Sequence, residues 1–378
     1  MTTDRCLVDP TGLLKYDFGA GHPFKIRRLG LTHELIRAYG LAEGEGIRTL
    51  IPREATEDEA LAFHTSAYLE VLKLADGGLW TPNLFTHGLG TGDNPVFPGV
   101  YEWAMNVAGA SVDCAREILD GRVRRAFNPA GGLHHAMPSR ASGFCHVNDG
   151  VLAIHAFLQA GKRVAYVDID AHHGDGVQFA FYDRPDVLTV SIHQSGATIF
   201  PGTGFADELG GEQARGTSIN VPLLPGACDD AYERAADGIL FPVVERFAPD
   251  VLVTQLGADA LVGDRVASLA MTLPRFEALV RRFAAFDLPW VALGGGGYEL
   301  ANVPRAWTLA WAAILEVQLP DALPEEWIEL AAADGLSVSS LRGDEATRSS
   351  PLHVLQDLER TMEALRQTAF PLLDRLTA

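Results

Sequence analysis

Cysteine is scarce in this chain, and what there is lies scattered. Cys6, Cys114, Cys145 and Cys228 are the only four among 378 residues, and no two of them form a C-x-x-C pair. Neither a zinc ribbon nor a disulfide framework is compatible with that spacing, so buried thiols are expected. Basic residues are also few. The 30 Lys and Arg stand against 49 Asp and Glu, for a net charge of −19 and an isoelectric point near 5.0. They form no long basic run, which excludes a nucleic-acid surface; the negative field would favour a cationic substrate, or simply keep the protein soluble. Long apolar runs are missing too. No stretch reaches the roughly 20 residues of a membrane span, and Met1 to Arg5 opens without the apolar segment of a signal peptide, so no membrane association and a cytoplasmic location are expected. There is no low-complexity linker and no internal repeat.

What is present is alternation. Strand-like runs at Arg124 to Phe127, Val164 to Ile169, Val187 to Ile192, Ser218 to Pro222, Val251 to Leu256 and Trp290 to Leu293 alternate with helical patterns. Those patterns cover Asp149 to Gln159, Asp229 to Phe247, Leu273 to Phe286 and Val303 to Val317, with apolar residues three and four apart. This is the βαβ signature of a parallel sheet in one large α/β domain.

One strand end is crowded with ionisable groups. Arg163 to Val167 reads as a buried strand, and it runs directly into Asp168-Ile169-Asp170-Ala171-His172-His173-Gly174-Asp175. Buried charges persist only when paired or bound to a metal. Asp170 and His172, two apart on an extended segment, project to one side and can share an ion. Asp175 could instead cap a helix running to Tyr182, but capping leaves the other four groups unexplained.

Four further segments offer partners. Asn128 to His135 follows a strand with a Gly-Gly turn and two adjacent imidazoles. Gln255-Leu256-Gly257-Ala258-Asp259 ends another strand in a carboxylate, a ligand or a turn cap. Leu293 to Tyr298 carries four glycines but lacks the lysine of a phosphate loop, and reads as a flexible turn presenting a tyrosine hydroxyl. Ser142 to Cys145 and Ile199 to Gly202 bring Phe144 and Phe200, which could be plain core or could wall a narrow channel. In open parallel sheets ligands bind outside the carboxyl ends of the strands. An Asp-x-His pair plus a distant Asp gives two oxygens and a nitrogen and leaves open positions, which suits zinc first and ferrous iron or another divalent ion second.

Together, Asn128 to His135, Gly143-Phe144-Cys145, Asp168 to Gly176, Gln255 to Asp259 with Gly263-Asp264, and Gly294 to Tyr298 closely resemble the metal-dependent histone deacetylase family, in particular its bacterial class I-like or acetoin-utilisation-type members. The likeness spans about residues 12 to 317 and includes His22-Pro23-Phe24-Lys25. It implies a single open α/β domain with a central, mostly parallel eight-stranded sheet flanked by helices, the arginase/deacetylase fold. It further implies zinc on Asp170, His172 and Asp259. His134 and His135 would be the tandem catalytic histidines, backed by Asp168 and Asp175, and Tyr298 the group that polarises the substrate carbonyl. Gly143, Phe144 and Phe200 would wall an acyl-lysine tunnel, Asp93 would hold substrate backbone at its rim, and Arg28 would sit by an internal acetate route.

The same resemblance implies a structural monovalent cation, potassium or sodium, at Asp168, Asp170, His172, Ser191 and Ile192. A second such site would involve Phe181, Arg184 and Val187, although Thr217 stands where relatives often have an aromatic. His173 receives no role. The activity implied is hydrolysis of the acetyl-lysine amide in proteins or peptides. An acetylpolyamine amidohydrolase shares the fold and metal site; the moderate length of Ala75 to Pro95 and the apolar Val266, where polyamine-selective relatives place an acid, favour acyl-lysine. A two-metal ureohydrolase fits less well with Tyr298 and the tandem histidines, and a silent metal-binding scaffold fits less well with the complete set. Residues 1–317 are expected to form the catalytic domain and 318–378 a C-terminal extension, polar and irregular over Pro320 to Ser350. From Pro351 to Leu373 the extension should be helical and packed on the domain through Leu352, Leu355, Leu358, Met362 and Leu365.

Overall fold

Eight short strands pair in parallel into one sheet of order β2-β1-β3-β8-β7-β4-β5-β6. They are β1 Arg5–Val8, β2 Ile47–Leu50, β3 Arg125–Asn128, β4 Val164–Asp168, β5 Val187–Gln194, β6 Ser218–Leu223, β7 Val251–Gln255 and β8 Trp290–Leu293. The structure is a computed structural model that describes residues 4–79, 82–343 and 347–377.

Helices cover both faces, so β3, β4, β5, β7 and β8 are buried along their whole length. That is why they read as continuous apolar runs. All six strands expected from sequence are present, within two residues at each end. The two that sequence reading overlooked, β1 and β2, are four residues each and lie at one side of the sheet. In β2 Arg48 and Thr49 are exposed, so no apolar run marks it.

The sheet order places β3, β8, β7 and β4 side by side. Their carboxyl ends are the points where the chain runs into the segments of His134-His135, Tyr298, Asp259 and Asp168 to Asp175. Loops far apart in sequence therefore meet at one rim of the sheet.

Helix boundaries differ from the sequence reading in three places. The pattern from Asp229 to Phe247 is not one α-helix: Asp229–Ala235 and Phe241–Phe247 flank a π-type turn over Ala236–Leu240. Pro242 explains the break, because it lacks an N–H and its ring crowds the carbonyl four residues back. The helices over Leu273–Ala284 and Val303–Ile314 stop two and three residues earlier than expected.

The segment from Pro320 to Ser350 is not irregular throughout. It contains a helix, Glu325–Ala333, anchored by buried Trp327, whose indole N–H donates to the Leu31 carbonyl at 2.9 Å. The helix Leu352–Thr377 lies against β6 and the helices of Asp229–Phe247, burying Val354, Leu358, Met362, Leu365, Ala369 and Leu373. Leu352 stays 71% exposed, because the buried stripe starts two residues later at Val354. Between Ala75 and Pro95 the chain forms the end of helix Ser66–Asp76 and a short helix, Asn83–Thr86; Trp80 and Thr81 lie outside the described residues. All four cysteines are buried and unpaired. Among the described residues no helix is long and apolar enough to cross a membrane.

Candidate active site

At the end of β4 each carboxylate turns the chain two residues further on. Asp168 accepts from the Asp170 amide at 3.0 Å, and Asp170 in turn from the His172 amide at 2.9 Å. Short acidic side chains favour such self-bonded turns, and here they aim successive side chains at one locus. Asp170 Oδ2 is held from behind by Gln255 Nε2 at 2.6 Å and the Gly296 amide at 2.8 Å. Asp259 Oδ1 accepts from the Ala171 amide at 2.9 Å. The opposite oxygens, Asp170 Oδ1 and Asp259 Oδ2, then face His172 Nδ1 at 3.2 and 3.0 Å.

The ligand atoms of Asp170, His172 and Asp259 all lie within 4.8 Å of one another, and all three residues are buried. Burial opposes the charge of His172, yet hydrogen bonds to Asp170 and Asp259 outweigh it and lift the imidazole to about 10. Burial, and then Asp170, push Asp259 up to about 7. The ion pairs to these carboxylates come from imidazoles alone among the described residues. Two desolvated oxygens and a nitrogen, locked by amides, thus demand a positive charge between them, and the set fits a divalent ion. Two glycines make this possible: a Cβ on Gly257 would lie 2.2 Å from Asp170 Oδ2, and one on Gly296 would lie 2.2 Å from Asp259 Oδ2. The glycine run before Tyr298 therefore serves close approach rather than flexibility.

The tandem histidines come from beyond β3. Asp149 fixes their loop, accepting from the amides of Gly132 at 3.0 Å and Leu133 at 2.8 Å. His134 Nδ1 meets Asp168 Oδ2 at 2.7 Å, and His135 Nδ1 meets Asp175 Oδ1 at 2.7 Å. Their Nε2 atoms are 3.1 Å apart. Asp175 is the first residue of helix Asp175–Phe181, with Gly174 at the cap position, so its carboxylate serves His135 and not the helix end. Burial works against a charge on His134, but the negative charges of Asp168 and Asp170 prevail and raise it to about 9. For His135 burial acts first and the neighbouring His134 second, lowering it to about 4. At neutral pH the pair is one charged and one neutral imidazole. The neutral one donates Nδ1–H to Asp175 and keeps its Nε2 lone pair.

A cavity of about 220 Å³ opens on this centre, lined by Asp93, His135, Gly143, Phe144, His172, Ile199, Phe200, Val266 and Tyr298. Phe200 packs edge-on to His135, with ring centroids 4.9 Å apart, and Phe144 edge-on to Tyr298 at 5.5 Å. Phe144 sits at a φ of +68°, where a bulky residue is held only if its surroundings insist; its amide donates to Asn94 Oδ1 at 2.9 Å. Asp93 is exposed at the mouth. Burial first, then the charges of Asp259 and Asp170, hold the Tyr298 hydroxyl well above its ordinary pKa, so it stays a donor. Asp264 sets both walls at once, accepting from the amides of Tyr298 at 2.7 Å and Val266 at 3.0 Å.

Arg28 lines neither this cavity nor the smaller space behind it. It is buried on Phe24 and Trp307 and donates to the Gly297 carbonyl at 2.8 Å, one residue before Tyr298; Phe24 itself lines the smaller space. Asp168 and Ser191 are register partners on β4 and β5, with Ile192 next along; both line a pocket of about 10 Å³. Ser191 Oγ bonds His193 Nδ1 at 2.7 Å. In the turn before β5, the Phe181 and Arg184 carbonyls accept from the amides of Arg184 and Val187, while Thr217 bonds the Ala214 carbonyl. His173, to which sequence reading gave no role, bonds Thr203 and Gln178. Sequence reading missed Asp149, Gln255 and Asp264 as supports. Gln255 and Asp264 stood within quoted motifs without a role; Gln255 carried a further signal, an amide side chain closing an apolar run, and it is fully buried.

An eight-stranded parallel sheet flanked by helices, with a buried Asp-His-Asp donor set beside paired His-Asp dyads at its rim, is the arginase/deacetylase fold. The histone deacetylase domain family matches residues 22–314, and the chain belongs to that family. It is 40% identical over 323 residues to the acetoin utilization protein AcuC of Bacillus subtilis (strain 168), covering 83% of this chain and 82% of that one. It is likewise 40% identical over 301 residues to histone deacetylase 8 of Xenopus tropicalis, covering 79% and 81%. Among solved structures, an HDAC homolog from Aquifex aeolicus superposes with a TM-score of 0.87 at 32% identity, over 95% of this chain and all of that one. An HDAC homolog complexed with SAHA superposes with a TM-score of 0.85, also at 32% identity, over 96% of this chain and all of that one.

Proposed function

We propose that the chain hydrolyses the side-chain amide of acetyl-lysine in proteins or peptides, releasing acetate and the free amine. One observation carries the reading: a neutral imidazole, His135, and a tyrosine hydroxyl, Tyr298, converge with His172 on one cavity whose walls include the aromatic rings of Phe144 and Phe200. A lysine stem is a slender aliphatic chain that such rings accommodate, and Asp93 at the mouth can accept backbone amides of the segment carrying it.

Asp170, His172 and Asp259 would hold the divalent ion, zinc first and ferrous iron second, and that ion supplies Lewis acidity to the amide carbonyl and acidity to water. His135 takes the proton of the attacking water at Nε2 while Asp175 holds its Nδ1–H. The Tyr298 hydroxyl donates to the oxygen on which negative charge develops. The C–N bond then breaks, and His135 returns the proton to the departing amine. His134, charged and held by Asp168, stabilises the negative charge nearby without moving a proton. Asp168, Asp170, His172, Ser191 and Ile192 would hold a potassium or sodium ion that stiffens the β4 and β5 ends. In this reading residues 1–317 are the catalytic domain and 318–378 an extension of it.

A fluorogenic acetyl-lysine peptide assay with added zinc tests the proposal. His135→Ala should abolish turnover, while His134→Ala should retain a measurable fraction; the reverse order would overturn the assignment. The net charge of −19 favours one competitor, acetylated polyamines. A kcat/KM higher for acetylspermidine than for acetyl-lysine peptides would move the substrate to that class, and no turnover of either would leave a silent binding protein.

A further inference from the structure

We infer that His193 and His173 act as positioning residues that clamp the loop carrying Phe200, and so set the width of the cavity for the acyl-lysine side chain. The inference rests on the reading of Phe200 as a tunnel wall. Phe200 stands midway along a loop that leaves β5 at Gln194 and comes back against it at Gly204, and the residue is 45% exposed. A half-exposed aromatic on a loop holds a wall only if the stem of the loop is fixed.

The stem is fixed by two imidazoles that the chemistry does not use. His193 Nε2 donates to the Gly204 carbonyl at 2.9 Å, and its Nδ1 accepts from Ser191 Oγ at 2.7 Å. His173 Nε2 donates to Gln178 Oε1 at 3.0 Å, and its Nδ1 meets Thr203 Oγ1 at 2.8 Å. The two rings lie 4.9 Å apart, both buried. A carbonyl and an amide oxygen can only accept, so both Nε2 atoms carry the proton and both tautomers are dictated by their partners.

Glu208 closes the arrangement. It accepts from Gln178 Nε2 at 2.6 Å and from the amides of Gly204 and Phe205 at 3.0 Å each. Gly204 is the point of closest approach: at a φ of +83°, a Cβ there would lie 2.4 Å from His193 Nε2 and 2.6 Å from the His173 ring. Because His173 follows the candidate ligand His172 directly, one ring ties the metal-binding segment to the loop that carries Phe200. A shift of the stem would move Phe200 relative to His135, and the cavity would lose its fit to substrate.

The test uses the full chain and acetyl-lysine peptides. Thr203→Val should raise KM roughly three- to tenfold, the worth of one hydrogen bond, with kcat within about twofold of wild type and bound zinc unchanged. Thr203→Ser should restore KM. Likewise His193→Leu should raise KM, whereas His193→Gln, which keeps an N–H donor, should raise it less. Phe200→Ala alone should raise KM, and adding Thr203→Val to it should raise KM no further, because the clamp acts through that ring. Wild-type KM in Thr203→Val beside an impaired Phe200→Ala would overturn the clamp alone. So would full additivity in the double variant, or loss of zinc from Thr203→Val. Wild-type KM in Phe200→Ala would overturn both the clamp and the tunnel wall on which it rests.

Discussion

His134 and His135 are neighbours in the chain, yet their pKa values move in opposite directions, to about 9 and about 4. Nothing in the dipeptide distinguishes them: burial opposes the charge of both, but at His134 the charges of Asp168 and Asp170 outweigh it, whereas at His135 the charge of His134 adds to it and Asp175 does not offset the two. The consequence for stability has a definite sign. His134 binds its proton more tightly folded than unfolded, so its contribution is complete below pH 6.5 and is lost as pH rises through about 9. His135 behaves oppositely, contributing fully above pH 6.5 and losing that contribution as pH falls through about 4. In metal-depleted protein, the Tm gap between wild type and His134→Gln should therefore be widest at or below pH 6.5 and close by pH 9.5. A gap that stays constant or widens over that range in thermal unfolding would contradict a protonated His134. The legible residues, Asp170, His172, Asp259, His134 and His135, stood out because ionisable groups at apolar strand ends are costly. Asp149 did not stand out, and Asp264 entered only within a motif and without a role, since a loop carboxylate that accepts backbone amides looks in sequence like any turn residue.

At the scale of elements, strands buried on both faces were the easiest to read, and the edge was the hardest. Cys6-Leu7-Val8 and Ile47 to Leu50 were not read as strands; β1 pairs along the open side of β3, and β2 pairs only with β1. The far edge is managed differently. Helix Leu352–Thr377 lies over β6, with Gly216 and Gly238 admitting it so closely that a Cβ on either would strike Leu372 or Arg366. Each fully buried Val, Leu or Met of that helix stabilises the fold by about 1.5–3 kcal/mol. A chain ending after Val317 would uncover this surface. It should be recovered largely as aggregate, or as monomer with a Tm far below that of the full chain. A soluble truncated protein with unchanged Tm and activity would show that the helix is dispensable.

For the whole molecule, sheet order assembles the site, and a net charge of −19 sets the sign of the field around it. The donor set demands a cation, so a strong chelator should abolish turnover and lower Tm, and stoichiometric zinc or ferrous iron should restore both; activity that survives verified metal removal would refute a metal-dependent reaction. With a charge of −19, kcat/KM for a lysine-rich peptide should fall as ionic strength rises, while that for a neutral acetyl-lysine amide should hardly change. The chain by itself determined the parallel α/β class, the core strands, and the ionisable groups too expensive to bury without purpose. Those properties follow from local patterning and from the energetic penalty of desolvated charge. Only the tertiary structure decided which groups meet. The order β3-β8-β7-β4 brings Asp170 to Asp259 and His134 to Asp168, and lets Gln255 and Gly296 tie off one oxygen of Asp170. Adjacency of strands is a property of pairing across the whole chain, and no spacing within one segment encodes it.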